Sequence, residues 1–147
     1  MPIQTTYSER IDKARAGLVS GSKSVKQTGL CETAAGIGFG LAVSQGAGDQ
    51  GVILGGTLAG FRGISVRDVT LGAGVDVYPQ TSNVGVLTDG QIWVVPAAAV
   101  AAGDPVHFDA ATGALSNAGG QGPIKGARWV DSGSDFARVE VSGYNQD

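Results

Sequence analysis

The alternation of apolar and polar residues predicts short β-strands along most of the chain, and it is clearest near the C-terminus. Ala137, Val139 and Val141 alternate there with Arg138 and Glu140. This two-residue period is typical of a strand with one face in the core and the other in solvent. The last strand is therefore predicted with its alanine and valines buried.

The most strongly apolar stretch, residues 83–109, is predicted to form the framework of the fold. Asp89-Gly90 lies between two runs of β-branched and aromatic residues, which favours a hairpin with a type I′ turn at this dipeptide. An Ala-rich crossing and a turn at Gly103-Asp104-Pro105 follow. The arms of the predicted hairpin consist of Val84, Val86 and Leu87 on one side and Ile92, Trp93, Val94 and Val95 on the other.

A second hairpin is predicted just beyond this framework. Val106 and Phe108 are expected to face the core and His107 the solvent, because they alternate along a short strand. Thr112-Gly113 then marks a tight turn before the chain returns.

Glycines divide the chain into short segments, and this spacing indicates the fold class. The 147 residues include 25 glycines without a collagen-like period, and 42% of the residues are hydrophobic, so a packed core is expected. About eight to ten short strands fit this spacing. We predict an all-β fold, a small antiparallel β-barrel or jelly-roll-like sandwich, as a single β-rich domain over residues 29–147.

Charge divides the chain into two parts. Residues 1–28 hold five basic and two acidic residues, a net charge of +3, whereas the remainder holds five basic and eleven acidic residues, a net charge of −6. Periodicity in residues 1–28 is weak, so we predict an extended basic N-terminal arm that orders against a partner. A solvated tail is the alternative interpretation.

Targeting signals and cysteine usage indicate the compartment. The N-terminus lacks a charged region followed by an apolar run, and no stretch has the ~18 apolar residues that a membrane span needs. The single cysteine, Cys31, excludes an internal disulfide framework and suits a reducing environment. Cytoplasmic synthesis, without a membrane partner, is expected.

Motifs that carry chemistry are weak in this sequence. Residues 46–51 match G-x-G-x-x-G, but a strand follows them where a dinucleotide site needs a helix N-terminus, so a β-turn is favoured. Cys31 and His107 form a poor nucleophile–base pair because no orienting group is evident. No ligand cluster for zinc or calcium is present. No catalytic, metal or cofactor site is predicted, and the chain is expected not to be an enzyme.

The two tryptophans, Trp93 and Trp129, are candidates for the core or for an interface. Basic residues of the body are single and have no aromatic interleaving, which argues against a nucleic-acid-binding face. The residues therefore indicate a binding or structural module.

Several stretches, in order along almost the whole chain, resemble the structural cement, or capsid decoration, proteins of tailed bacteriophages. No single motif is specific; their order and spacing carry the resemblance. They are Tyr7-Ser8-Glu9-Arg10 with Ala16-Gly17-Leu18, Gly38-Phe39-Gly40-Leu41-Ala42-Val43, Gly48-Asp49-Gln50-Gly51-Val52, Phe61-Arg62-Gly63-Ile64-Ser65-Val66-Arg67-Asp68, Gly90-Gln91-Ile92-Trp93-Val94, Ala101-Ala102-Gly103-Asp104-Pro105-Val106, Gly126-Ala127-Arg128-Trp129 and Val139-Glu140-Val141.

The resemblance implies a small β-rich protein, without catalytic residues, that binds the outside of an assembled head. Its expected partners are the major capsid protein and further copies of itself, as trimers near threefold positions or, in some phages, dimers near twofold ones. The expected location is the outer surface of the virion capsid, after assembly in host cytoplasm. A tail or baseplate accessory protein, or a carbohydrate-binding β-module, is the alternative.

This resemblance also gives the candidate contacts with capsid or oligomer. Basic arms in the family reach along the shell, which assigns such a role to the arm here. The candidate contact residues are Tyr7, Arg10, Lys13, Arg15, Trp93 and Trp129.

Overall fold

The computed structural model describes residues 16–68 and 77–142, which form eleven β-strands and one 3-10 turn but no α-helix. Within these ranges no helix has the length and hydropathy that a bilayer span requires. The strands are β1 (Val19–Cys31), β2 (Ile37–Gly38), β3 (Ala42–Gln45), β4 (Gly51–Leu54), β5 (Phe61–Ser65), β6 (Val77–Tyr78), β7 (Asn83–Val94), β8 (His107–Phe108), β9 (Leu115–Ser116), β10 (Ala127–Trp129) and β11 (Ala137–Val141).

Five strands close into a barrel in the order β1-β4-β3-β5-β7, because β1 also pairs with β7. The β1–β4 pairing is parallel, and the other pairings of the barrel are antiparallel. On the far side of β7 the sheet continues into β11 and β10, while β2–β6 and β8–β9 form separate two-stranded sheets. The predicted all-β class and the small barrel are confirmed.

Strand β7 is the centre of the sheet, but the hairpin predicted within it is wrong. Residues 83–94 run as one strand, in which Leu87 pairs with Ile64 of β5 and Ile92 pairs with Val139 of β11. A type I′ turn needs positive φ at both central residues. Gly90 has a φ of 139°, whereas Asp89 is not among the residues with positive φ and is only 5% exposed. The chain bends at this dipeptide instead of reversing.

Both faces of β7 are buried at Val86 and Leu87, two adjacent residues that point into different core clusters. Val86 belongs to a core cluster formed by β1, β2, β3, β4, β6 and β7. Leu87 and Ile92 belong to a second cluster, which includes residues of β5, β8, β9, β10 and β11. Strands with two buried faces lose the simple alternation that separates a strand from a hairpin arm.

Other local predictions agree with the structure. β8 and β9 form the predicted hairpin, with Gly113 at a φ of 71° in the connection. Phe108 is fully buried, and so is Val106 just before β8. Along β11 the alanine and both valines point into the core, as the alternation indicates.

The predicted arm divides at residue 16. Residues 1–15 lie outside the described residues, so the arm remains a prediction there. Residues 19–28 belong to β1, where they pair with β7. Their Ser-, Gly- and Lys-rich composition has low strand propensity, so this strand depends on pairing with β7 rather than on local preference.

Candidate interaction surface

Of the six candidate contact residues, Trp93 and Trp129 are described, while Tyr7, Arg10, Lys13 and Arg15 fall outside the described residues. The candidate site is therefore described around the two tryptophans and around residues 16–18, which follow the arm. They lie on β7, β10 and the segment 16–18.

The segment that follows the arm is fixed to the barrel by backbone hydrogen bonds. The Gly17 amide donates to the Trp93 carbonyl at 2.8 Å, and the Trp93 amide donates to the Leu18 carbonyl at 2.9 Å. Arg67 holds the other side, because its amide donates to the Gly17 carbonyl at 2.8 Å and its Nε to the Ala16 carbonyl at 3.0 Å. The chain therefore enters the body at a defined point beside Trp93.

Glycine permits this close attachment. Gly17 has a φ of +83°, and a Cβ there would lie 2.7 Å from the Arg67 amide nitrogen and 2.8 Å from the Phe39 Cβ. The Arg67 guanidinium lies 5.0 Å from the centre of the Phe39 ring, which adds a cation–π contact beside the same point. Any side chain at Gly17 would push the segment away from Arg67 and Phe39.

Trp93 is half-buried on the outer face of β7, where Arg138 of β11 covers part of its ring. The guanidinium carbon lies 5.3 Å from the ring centre. Asp131 orients this guanidinium, accepting from Nε at 2.7 Å and from Nη2 at 3.1 Å. These hydrogen bonds raise the pKa of Arg138 above its ordinary value, so the group stays charged over Trp93.

Arg67, Asp131 and Arg138 were not predicted from sequence to be parts of this site. Alternation placed Arg138 on an outward face, but its contact with Trp93 depends on the pairing of β7 with β11. The predicted hairpin hid that pairing. A reading of residues 83–94 as one strand would have supplied the missing signal.

Trp129 occupies the core, which was one of the two interpretations open from sequence. It is 0% exposed, and its indole Nε1 donates to the Ser116 carbonyl at 3.0 Å. Burial with a satisfied N–H is typical of a structural tryptophan. In this conformation Trp129 offers no surface to a partner, so Trp93 is the more exposed of the two tryptophans.

The glycine-rich loop at residues 46–51 binds a carboxylate from its own chain. Glu32 accepts hydrogen bonds from the Ala47 amide at 2.7 Å and the Gly48 amide at 3.0 Å. A Cβ at Gly51 would lie 1.5 Å from Glu32 Oε2, so glycine is needed for the carboxylate to fit. The amides that a phosphate would need are occupied, in agreement with the predicted turn.

Cys31 and His107 do not form a pair in the structure. Cys31 is 1% exposed at the end of β1, and its Sγ lies 3.6 Å from the Thr33 carbonyl oxygen and 3.7 Å from that of Tyr78. His107 is half-buried on β8, and its Nδ1 lies 3.0 Å from the Gly119 carbonyl oxygen. Across the described ranges no group of three or more His, Cys, Asp or Glu residues is arranged to hold a metal ion.

Comparison with known proteins identifies the family. A family model described as "Structural cement protein (E217 gp24/Pam3 gp6)" matches residues 3–143. Among solved structures, a chain from "The capsid of Myoviridae Phage XM1" has a TM-score of 0.73 and 17% sequence identity, over 97% of this chain and 98% of that chain. At this identity the structural match shows a shared fold. No curated protein matches the sequence.

Proposed function

The chain belongs to the structural cement protein family, and from this membership we propose that it binds the outer surface of an assembled bacteriophage head and stabilises the junctions between major capsid subunits. A structural role in association with the capsid follows from membership of the family. The observation that carries the proposal is the family match over residues 3–143, which includes both the arm and the β-barrel.

The arm and the body have different parts in this function. Arg10, Lys13 and Arg15 anchor the arm along the shell through charged contacts, and Tyr7 is a further contact residue of the arm. The attachment of residues 16–18 to Trp93 and Arg67 supports this assignment, because it fixes the C-terminal end of the arm to the sheet. Trp93 adds a body contact next to the same point.

Many weak contacts are sufficient for a cement protein. Icosahedral symmetry repeats each contact over the whole shell, so a modest affinity at one site produces a large total stabilisation. The protein acts as a homo-oligomer, a trimer at threefold positions or a dimer at twofold ones. It has no catalytic role and no direct contact with nucleic acid, and it joins the head in the host cytoplasm.

Copy number tests the proposal most directly. Quantitative mass spectrometry of purified particles measures the ratio of this chain to the major capsid protein. A ratio near one to one is expected for a protein that covers the whole shell. A ratio of a few per cent would move it to the tail or baseplate, and its absence from particles would overturn a structural role in the virion.

A second experiment tests stabilisation. Heads with and without the bound protein are heated, and DNA release is followed by dye fluorescence. Bound protein is expected to raise the temperature of release, since it braces neighbouring subunits against internal pressure. Equal release temperatures in saturated and bare heads would contradict the bracing role while leaving binding intact.

A further inference from the structure

We infer that one exposed face of β7 and β11, centred on Trp93, is the surface by which the body docks on the major capsid protein. This docking face consists of Leu18, Trp93, Val95 and Phe136, with Arg138 and Asp131 at its edge. The inference rests on the proposed capsid binding and adds to it the place and chemistry of the body contact.

Strand register places these side chains together. Leu18 lies beside Trp93, because the Trp93 amide donates to its carbonyl at 2.9 Å. Trp93 pairs with Arg138 across the strands. Val95 follows and Phe136 precedes the terminal pair of β7 and β11, Val94 with Ala137, so a continuation of this register would place them opposite each other.

Alternation shows which way they point. Val19, Ile92, Val94 and Ala137 pack into the second core cluster, so their immediate neighbours along each strand point to the opposite side. Side-chain exposure agrees, since Leu18 is 44% exposed, Val95 49% and Phe136 40%. Large apolar side chains that share one exposed face are typical of an interaction site, whereas single ones are not.

Two arginines beside the docking face are paired with carboxylates of the same chain. Arg138 forms an ion pair with Asp131 at 2.7 Å. Arg128 forms an ion pair at 3.0 Å with Glu140, which lies two residues after Arg138 on β11. The face therefore offers a partner neither of these arginines as an unpaired cation. Its contact depends on apolar burial with a polar rim, which is the usual anatomy of a protein–protein interface, rather than on electrostatic attraction.

The base of the arm identifies the occupant. Leu18 is part of the docking face and lies two residues after Ala16, which Arg67 holds in place. Residues 1–15, proposed above to contact the shell, join the body at Ala16, so a capsid contact of those residues would lie next to this face. Continuity with the arm's contact therefore favours the major capsid protein.

The small size of the face supports the same occupant. Three partly exposed side chains and part of an indole provide much less than the ~800 Å² per partner of a stable complex. A second copy held by this face alone would dissociate in dilute solution. A capsid subunit held by both arm and face gains from the high effective concentration that the first contact gives the second.

Binding of purified protein to heads that lack this chain tests the inference. The double variant Val95→Ser/Phe136→Ser and the single variant Leu18→Ser are compared with wild type in the full-length chain. At least tenfold weaker binding is expected for the double variant, with the same salt dependence as wild type, because the lost contacts are uncharged. Leu58→Ser is the matched control, since Leu58 is 37% exposed but lies outside this face. Thermal unfolding verifies that each variant is folded.

Each outcome decides the inference. Wild-type affinity in both face variants would overturn it and leave capsid binding by the arm standing. Loss of self-association in sedimentation, with wild-type affinity of the separated protomers for heads, would assign the face to a second copy and overturn it too. Failure of wild-type protein to bind any head would contradict the proposed function itself, and the docking face with it.

Discussion

At the scale of single residues, glycine decides where this chain can pack against itself. Gly17 and Gly40 face each other beside the base of the arm, and a Cβ at Gly40 would lie 2.8 Å from the Gly17 nitrogen. Both have positive φ, +83° and +71°. The two positions therefore require glycine for two separate reasons, backbone conformation and space.

Gly17→Ala separates these two reasons when it is compared with Gly103→Ala. Gly103 has a similar φ of +91°, but a Cβ there would meet nothing within 4 Å. Gly103→Ala is expected to lower the free energy of unfolding by about 1–2 kcal/mol, from the left-handed conformation alone. Gly17→Ala should cost a further ~1–3 kcal/mol from overpacking against Arg67 and Phe39. Chemical denaturation measures both, and equal losses would show that the segment relaxes freely.

Glu32 links the end of β1 to the loop that joins β3 to β4, because its carboxylate accepts hydrogen bonds from the Ala47 and Gly48 amides. The β1–β4 pairing that closes the barrel consists of Leu30 with Gly51 and Cys31 with Val52, so additional links at this seam matter. Glu32→Gln keeps the shape but replaces one acceptor oxygen by a donor facing backbone amides. A loss of about 1 kcal/mol is expected after allowance for solvent exposure.

Glu140→Gln is the control for this prediction. Glu140 pairs with Arg128 at 3.0 Å, but the two side chains are 38% and 65% exposed, so the pair contributes little. Urea unfolding midpoints of the two variants give the comparison. An equal loss of unfolding free energy in Glu140→Gln and Glu32→Gln would mean that the hydrogen bonds of Glu32 contribute no more than an ordinary surface ion pair.

Asp109 links the stability of the β8–β9 connection to pH. Its carboxylate accepts from the Ala111 amide at 2.7 Å and the Thr112 amide at 3.1 Å, and these bonds lower the pKa of Asp109 below its ordinary value. A lowered folded-state pKa means that the stabilisation is complete above the unfolded-state pKa and is lost as pH falls through the folded-state value. Asp109→Asn should therefore reduce the loss of stability between neutral and strongly acidic pH. An unchanged pH profile of the unfolding midpoint would contradict this role.

At the scale of elements, the sequence predicted strands better than it predicted their partners. The alternation in β11 and the glycine turn between β8 and β9 depend on neighbouring residues, and both predictions were correct. β1 and β7 were misjudged because their structure depends on contacts between distant residues. Ser-, Gly- and Lys-rich β1 gains its conformation from pairing with β7, and β7 buries both faces at Val86 and Leu87, which breaks its alternation.

The candidate site follows the same division. Trp93 was identified from its residue type. The Arg138 guanidinium that covers its ring belongs to a different strand and lies 45 residues further along the sequence. The exposed positions of Val95 and Phe136 follow from the register of β7 with β11, which the predicted hairpin excluded. Side-chain chemistry was accessible from sequence, and the shared face was not.

The unbroken path of β7 is testable by nuclear Overhauser effects between backbone protons. A hairpin about Asp89-Gly90 would place Leu87 opposite Ile92, whereas the structure pairs Leu87 with Ile64 and Ile92 with Val139. Cross-strand effects are therefore expected from Ile92 to Val139 and not to Leu87. The opposite result would restore the hairpin and remove the register on which the docking face depends.

At the scale of the whole molecule, the closed barrel separates the stability of the body from the function of the arm. Strand β1 completes the barrel by pairing with β7 from Val19 to Leu30. The basic residues Arg10, Lys13 and Arg15 precede Ala16, whose carbonyl accepts a hydrogen bond from Arg67. Because the pairing of β1 with β7 begins at Val19, we predict that residues 1–15 can be removed without opening the barrel, whereas residues after position 18 cannot.

Two truncations test this separation. A chain that starts at Ala16 should unfold at the wild-type temperature and bind heads more weakly, with a reduced salt dependence because three cationic side chains are gone. A chain that starts at Gln27 also loses the first eight residues of β1, including the pairs Val19–Ile92 and Val25–Asp89. It should unfold at a markedly lower temperature or fail to fold, because it exposes the edge of β7.

Calorimetry and a head-binding titration over a salt series measure the unfolding temperature and the affinity of both truncated chains. Undiminished binding by the chain that starts at Ala16 would remove the arm from the contact and leave the docking face as the attachment, whereas wild-type stability in the chain that starts at Gln27 would show that β1 residues 19–26 are dispensable for the barrel.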